Sequence, residues 1–297
     1  MSDEKIYKLL KLLVYLMGRL PIPVANFCSD LLGLLWFKID KRHRRVTLDN
    51  IQRALGDHTP LQVNLLGKQV FKNIASIIFE VAWSYGLDRE TFLSYLTVTG
   101  IENVKNAQAK GRGVMVLAAH LGNFELNIHA IERTQMKGYG IYRKMDFVPL
   151  ERLILDIRQR FGYTMVPMRG ASKKLDRILE EGGVVGTLLD QSVDWYKGVF
   201  VDFFGRPACT NNGLAVLVMR TKAAVVPMCC MRKNRQFVIE FLPEIPLEET
   251  GDRIKDIENN TQNYTTAIES MVRRFPDQYF WVHNRWKIKN HCPYPRQ

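Results

Sequence analysis

VMVLAAHLGNFEL, residues 114–126, passes from an apolar run to a polar turn within thirteen residues. Val114–Ala119 is apolar without a break, the pattern of a strand buried on both faces, and the chain then turns polar at His120, Gly122, Asn123 and Glu125. "LGN" supplies the turn out of the strand and puts Glu125 in the first turn of a following helix. A strand of this kind belongs in a sheet covered by helices on both sides.

The flanking sequence repeats the alternation. From about residue 96, "VMVLAA" (114–119), "YGIYR" (139–143), "TMVPM" (164–168), "VVGTLL" (184–189) and "AVVPMCC" (224–230) read as strands. Helical stretches near 122–134, 147–161, 171–181 and 211–221 separate them. This order predicts an α/β fold with a mostly parallel central sheet flanked by helices. "GVFVDFF" (198–204) and "QFVIEFL" (236–242) are expected at its edge, followed by a helix over 252–274 and a Pro-bounded aromatic and basic tail, "FPDQYFWVHNRWK" (275–287). Residues 1 to about 95 read as helix throughout, including "RRVTLDNIQRAL" (44–55) and a long helix over 60–85 with Thr59 as N-cap and Pro60 at its first position. The expected division is 1–40 as N-terminal membrane-associating helices and 41–297 as one domain, with 41–95 a helical lead-in and 96–290 the α/β core.

Charge narrows the partners. Forty-two Lys and Arg against thirty Asp and Glu leave a formal +12, which calls for a polyanion: a nucleic acid, an anionic membrane surface or a phosphorylated substrate. With 46% hydrophobic and 24% charged residues, neither disorder nor a multi-span membrane protein is indicated. Cys28, Cys209, Cys229, Cys230 and Cys292 form no C-x-x-C, so no zinc site or disulfide framework is expected, and a reducing compartment fits. At the N-terminus, Lys5, Lys8 and Lys11 share a helix with six Leu and Met residues between Leu9 and Met17, the layout of a basic interfacial helix. "PIP" (21–23) is expected to break the Leu-rich run from Ile6 to Phe37, so that no uninterrupted 18-residue apolar span remains and a clean transmembrane helix is not expected. "KIDKRHRR" (38–45) adds a basic cluster suited to an anionic leaflet.

For chemistry, the carboxyl ends of strands in an open α/β sheet are where functional groups collect, and His120 stands at one. Its ordinary pKa near 6.5 suits a general base, with Glu125 close enough to hold the second ring nitrogen. A lone His beside a core strand is more often a structural residue, so the surroundings have to decide. None of His43, His58, His129 or His291 combines a strand end, a glycine and a carboxylate. No G-x-S-x-G elbow, H-E-x-x-H helix or complete dinucleotide fingerprint accompanies it. A base without a protein nucleophile implies that it activates a hydroxyl of the substrate itself. Backbone N–H groups near Gly122 and Asn123 are candidate oxyanion donors. Arg143, then Lys144 and Arg169, are candidate contacts to phosphate or oxyanion, and Asp190 and Gln191 end the strand "VVGTLLD" on the same rim, as substrate-positioning groups. "GVFVDFFG" (198–205) is a candidate wall for a substrate channel.

These residues carry a resemblance. "HLGNFE" is similar to the H-x4-(D/E) motif of the glycerolipid acyltransferase superfamily, in the HxGNxE form of the bacterial lipid A biosynthesis (lauroyl/myristoyl) acyltransferases. "IYRK" (141–144), "DQSVDWYKGVFVDFFGRPACT" (190–210) and "PDQYFWVHNRWK" (276–287) resemble further blocks of that family in the same order, with Asn284 departing at a position often basic there. The resemblance implies a glycerol-3-phosphate acyltransferase-like fold and transfer of a fatty acyl chain from a thioester to a hydroxyl of a phosphorylated glycolipid such as a lipid A precursor. The donor would be acyl carrier protein, or acyl-coenzyme A in its place. His120 would be the base and Glu125 its orienting partner, working on the cytoplasmic face of a bacterial inner membrane with no cofactor, metal or nucleic acid. Lysophospholipid or phosphatidylinositol mannoside as acceptor, and a non-catalytic protein binding anionic membranes, are the alternatives.

Overall fold

The computed structural model describes residues 2–134, 136–233 and 236–287; His291 and Cys292 lie outside them. In chain order the helices and strands are α1 (Asp3–Gly18), α2 (Ile22–Ile39), α3 (Lys41–Ala54), α4 (Pro60–Tyr85), α5 (Arg89–Ser94), β1 (Leu96–Thr99), α6 (Ile101–Ala109), β2 (Val114–Ala118), β3 (Gly138–Tyr142), α7 (Val148–Gln159), β4 (Thr164–Pro167), α8 (Ser172–Glu180), β5 (Val184–Leu188), β6 (Gly198–Asp202), β7 (Pro207–Asn211), α9 (Gly213–Thr221), β8 (Ala224–Lys233), β9 (Gln236–Phe241) and α10 (Arg253–Arg274).

Seven strands form one sheet in the order β1-β9-β8-β2-β5-β3-β4. Every neighbouring pair is parallel except β8 with β9. The fold class is therefore as the sequence implied. The unbroken apolar run of β2 has a direct cause. Met115, Leu117 and Ala119 enter one core with α8, α9 and α10, whereas Val114, Val116 and Ala118 enter a second core on the opposite face with Phe92, Leu126 and Phe237. All five residues of β2 are buried.

Two expectations about the edges need correcting. The 236–242 strand lies second in the sheet, because the short β1, whose "LTVT" carries little apolar signal, pairs outside it. The 198–204 stretch never joins the sheet. Its β6 pairs antiparallel with β7 in a separate hairpin, whose Phe203 and Phe204 pack beside Tyr279 and Trp281 of the tail. The expected helix over 122–134 is a 3₁₀ helix, Phe124–Thr134.

The helical lead-in is pinned to the sheet. Thr59 and Gln62 form a reciprocal capping box that starts α4 one residue later, at Pro60. "PIP" begins a helix rather than breaking one: Pro21 is the N-cap of α2 and Pro23 sits in its first turn, where no intrahelical N–H is required. Consequently Ile22–Ile39 is one continuous 18-residue helix and, among the described residues, the one helix long and apolar enough to cross a membrane. One side of it rests on α4, where Gly33 lets the backbone of Phe71 and Lys72 approach and Asp30 pairs with Lys72 at 2.6 Å. The other side is bare, with Phe27 68% and Ile39 74% exposed. Helix α1 is tied to α7 by Tyr7–Asp156 and Glu4–Arg152 contacts.

Candidate active site

Ala118 of β2 pairs with Leu188 of β5, and His120 and Asp190 each stand two residues farther on. The parallel register therefore delivers imidazole and carboxylate side by side: His120 Nδ1 lies 2.8 Å from Asp190 Oδ1. The pair is secluded, with side chains 16% and 3% exposed. Burial alone would favour the neutral imidazole, but Asp190 beside it, its hydrogen bond and the nearby Glu125 outweigh that and raise the His120 pKa above 6.5. Burial likewise opposes the Asp190 anion. The neighbouring imidazole, its hydrogen bond and the backbone N–H groups of His120 and Asp190 outweigh it, and hold the carboxyl below its usual range. Asp190 therefore accepts at Nδ1, and the second ring nitrogen, Nε2, lies 3.4 Å from Gln191 Nε2.

The expected His120–Glu125 hydrogen bond is not what forms. Glu125 instead accepts both bonds of a bidentate pair from Arg158, at 2.8 Å (Nε) and 2.7 Å (Nη2). The reason is topological. Glu125 lies in the 3₁₀ segment after the turn, facing α7, whereas the residue level with His120 on the adjacent strand is Asp190. Arg158 was not legible as a site residue, since one Arg near the end of an amphipathic helix reads as a solvated cation.

The loop between His120 and the 3₁₀ helix is braced on all sides. Gly122 has φ +61°, and a Cβ there would stand 1.7 Å from the Cys230 carbonyl oxygen, so only glycine fits. Its N–H donates to Gln278 O at 2.9 Å, and Asn123 turns its side chain to Glu80 at 2.7 Å. The Asn123 N–H faces the Cys230 thiol. The Gly122 N–H is therefore not an oxyanion donor, a correction to the sequence expectation: it is consumed in holding the turn. The tail completes the brace. Phe280 N–H donates to His120 O at 3.0 Å, and the Phe280 and Phe124 rings pack on the imidazole at centroid distances of 5.7 and 4.7 Å. Buried Tyr279 lies near Asp190, its phenol kept protonated by burial and by that carboxylate. His283 accepts the Ser192 N–H at 3.0 Å, which anchors the loop carrying Asp190 and Gln191.

Arg143 and Lys144 follow β3 and Arg169 follows β4, so all three stand exposed on the same carboxyl-end rim. Two cavities open there. One, about 590 Å³ with its solvent-open part, is mainly apolar and is lined by Ala118, Phe124, Glu125, Arg158, Tyr163 and Leu188 among others. The second, about 600 Å³, has Arg143, Tyr142 and Glu151 in its wall. Arg158 and Leu188 line both. The 198–205 stretch expected as a channel wall lines neither; its Phe203 and Phe204 are used in the core.

An imidazole held on one nitrogen, with Phe124 of the apolar cavity packed on its ring, fits chemistry on an amphiphile, and similarity to known proteins decides the family. The family model for bacterial lipid A biosynthesis acyltransferases matches residues 5–288. The chain belongs to that family. This acyltransferase is 23% identical to the lipid A biosynthesis lauroyltransferase of Escherichia coli (strain K12) over 279 residues, 93% of the chain and 89% of the relative. It is 24% identical to the palmitoleoyltransferase of the same strain over 283 residues, with the same shares covered. A phosphatidylinositol mannoside acyltransferase of Mycobacterium tuberculosis (strain ATCC 25618 / H37Rv) is 24% identical over 193 residues, covering 64% of the chain and 59% of that protein.

Proposed function

We propose that this acyltransferase moves a fatty acyl chain from acyl carrier protein to a hydroxyl of a phosphorylated lipid A precursor, with His120 as general base. The observation that supports the reading is the His120–Asp190 pair, which fixes Nδ1 and leaves Nε2, 3.4 Å from the Gln191 amide, to take a proton. The acceptor hydroxyl gives its proton to Nε2 as its oxygen attacks the thioester carbon. An alcohol is far too weak an acid to ionise beforehand at neutral pH, so the two events are concerted. The tetrahedral intermediate expels the thiolate, which takes the proton back from the imidazolium. Arg158, fixed by Glu125 at the junction of the two cavities, is the cation placed to face the oxyanion. Glu125 thus serves as the group that positions Arg158. Arg143, Lys144 and Arg169 supply positive charge for acceptor phosphate along the rim, with Gln191 positioning the acceptor beside Nε2.

The acceptor is assigned to the lipid A class because the relatives of that name align over 93% of the chain, against 64% for the mannoside enzyme. Attachment to the anionic inner face of the bacterial inner membrane follows from the N-terminal helices. Lys41, Arg42, Arg44 and Arg45 crowd the amino end of α3, where the helix dipole disfavours cations. An anionic surface offsets that cost, and the bare side of α2 supplies apolar contact beside it.

The test offers purified protein acyl carrier protein and coenzyme A thioesters, with a lipid A precursor, a lysophospholipid and a phosphatidylinositol mannoside as acceptors. Transfer from acyl carrier protein to the lipid A precursor is expected to be fastest. Vesicle binding with no transfer from any donor would replace this reading with that of a membrane-binding protein.

A further inference from the structure

The ladder between β3 and β5 ends at Gly140 and Gly186, although β3 continues to Tyr142 and β5 to Leu188. Beyond that level each strand is paired only on its outer side, Ile141 and Tyr142 with β4, Thr187 and Leu188 with β2. The sheet parts there, and the apolar cavity at the candidate site is lined by both sides of the parting, Ile141 and Gly140 on one and Thr187 and Leu188 on the other.

Tyr163 closes this space. Its ring lies over β3 and β5, and its hydroxyl donates to Tyr139 O at 2.6 Å, with its oxygen beside Gly186. The phenol's O–H donates to β3, so the ring is what it turns to the cavity. Two glycines directly opposite each other admit the ring. A Cβ on Gly140 would stand 2.8 Å from Tyr163 Cε1, and one on Gly186 3.0 Å from the Tyr163 oxygen. Neither glycine has positive φ, so what both positions require is room, not backbone freedom.

We propose that Tyr163, seated on Gly140 and Gly186, is the floor that sets the length of the acyl chain this enzyme transfers. The inference rests on the acyl-transfer reading above. A chain entering past Phe124 and Leu188 runs along Val116, Met165 and Met228 and ends on the tyrosine ring. A closed floor discriminates because a shorter chain leaves a void and a longer one has nowhere to go. A single misfit methylene in an apolar pocket is worth roughly ten-fold or more in kcat/KM.

The test is competition among saturated acyl thioesters of graded length, comparing wild type with Tyr163→Phe, Tyr163→Ala and Gly186→Ala. Tyr163→Phe is expected to keep the wild-type optimum. Tyr163→Ala should move it to longer chains, changing the ratio of long to wild-type-preferred substrate by about ten-fold or more. Gly186→Ala, which pushes the ring into the cavity, should move it to shorter ones, and it carries the test alone if Tyr163→Ala does not fold. Active variants with the wild-type length profile would overturn the floor while leaving acyl transfer intact. A wild type that uses no thioester would overturn the acyl-transfer reading itself, and the floor with it.

Discussion

His120 and Asp190 stand at the same level of two adjacent parallel strands, each two residues past the Ala118–Leu188 pair, with Nδ1 and Oδ1 2.8 Å apart. The contact is thus a product of register, and no turn or side-chain rearrangement is needed to make it. Asp190→Asn keeps the size of the side chain but removes the charge that holds the tautomer. We expect kcat to fall by roughly 10²–10⁴-fold, the usual worth of a positioned acid–base group, with the circular dichroism spectrum unchanged. A variant within two-fold of wild type would show that the pair is only structural.

The same pair fixes the pH response. A base at His120, as proposed, works as neutral imidazole, and the His120 pKa is raised, so kcat/KM should climb with pH through a midpoint above 6.5. Asp190→Asn leaves burial in place and removes the carboxylate, so its midpoint should move down from the wild-type value. The stabilisation from the ion pair runs the other way on the alkaline side, falling where activity climbs. It is fully present below the ordinary His value and fades as pH rises through the raised one, and on the acid side it is lost as pH falls through the lowered pKa of Asp190. A pH series of kcat/KM on both proteins checks the two midpoints.

Glu125 and Arg158 should behave as a unit. Each side chain is 22% exposed, and the bidentate geometry is charge-assisted, so Glu125→Gln should cost about 1.5–3 kcal/mol in urea unfolding. The double variant Glu125→Gln/Arg158→Gln should cost less than the sum of the singles. Additive losses would mean that the two groups act separately.

At the turn, Gly122→Ala would place a methyl group into the Cys230 carbonyl and strain a φ of +61°. The strain alone costs about 1–3 kcal/mol, and relief by moving the loop would displace His120. We expect a lower thermal midpoint together with a loss of kcat, whereas Gly56→Ala, where no atom lies near, serves as the silent comparison.

Most of the α/β core was legible because its strands are continuous apolar runs between amphipathic segments, and β2, β3, β4, β5 and β8 lie within a few residues of their expected bounds. What escaped was set by neighbours. β1 has almost no pattern of its own and is a strand because β9 needs an outer partner. β6 has the composition of an edge strand but finds β7 closer. In the site, His120 and Asp190 were each visible as strand-end residues. That Asp190 and not Glu125 meets the imidazole depends on β5 lying beside β2, an adjacency that chain order does not encode. Likewise "PIP" carries the chemistry of a helix start as well as of a break, and Pro21 at the N-cap position decided between them.

The bare side of α2 gives a separate prediction. Phe27→Asp and Ile39→Asp alter exposed positions, so thermal stability should change by no more than about 0.5 kcal/mol. Flotation with vesicles containing anionic lipid should nonetheless drop markedly. Unchanged flotation would place the membrane contact elsewhere on the molecule.

In the proposed reaction His120 takes the proton of a lipid hydroxyl. Single-turnover transfer of a labelled acyl group from acyl carrier protein to a lipid A precursor by wild type and His120→Ala reads that step. Wild type should transfer, and the variant should lose roughly 10²-fold or more, with thioester binding retained. Transfer by a folded His120→Ala protein at the wild-type rate would contradict it.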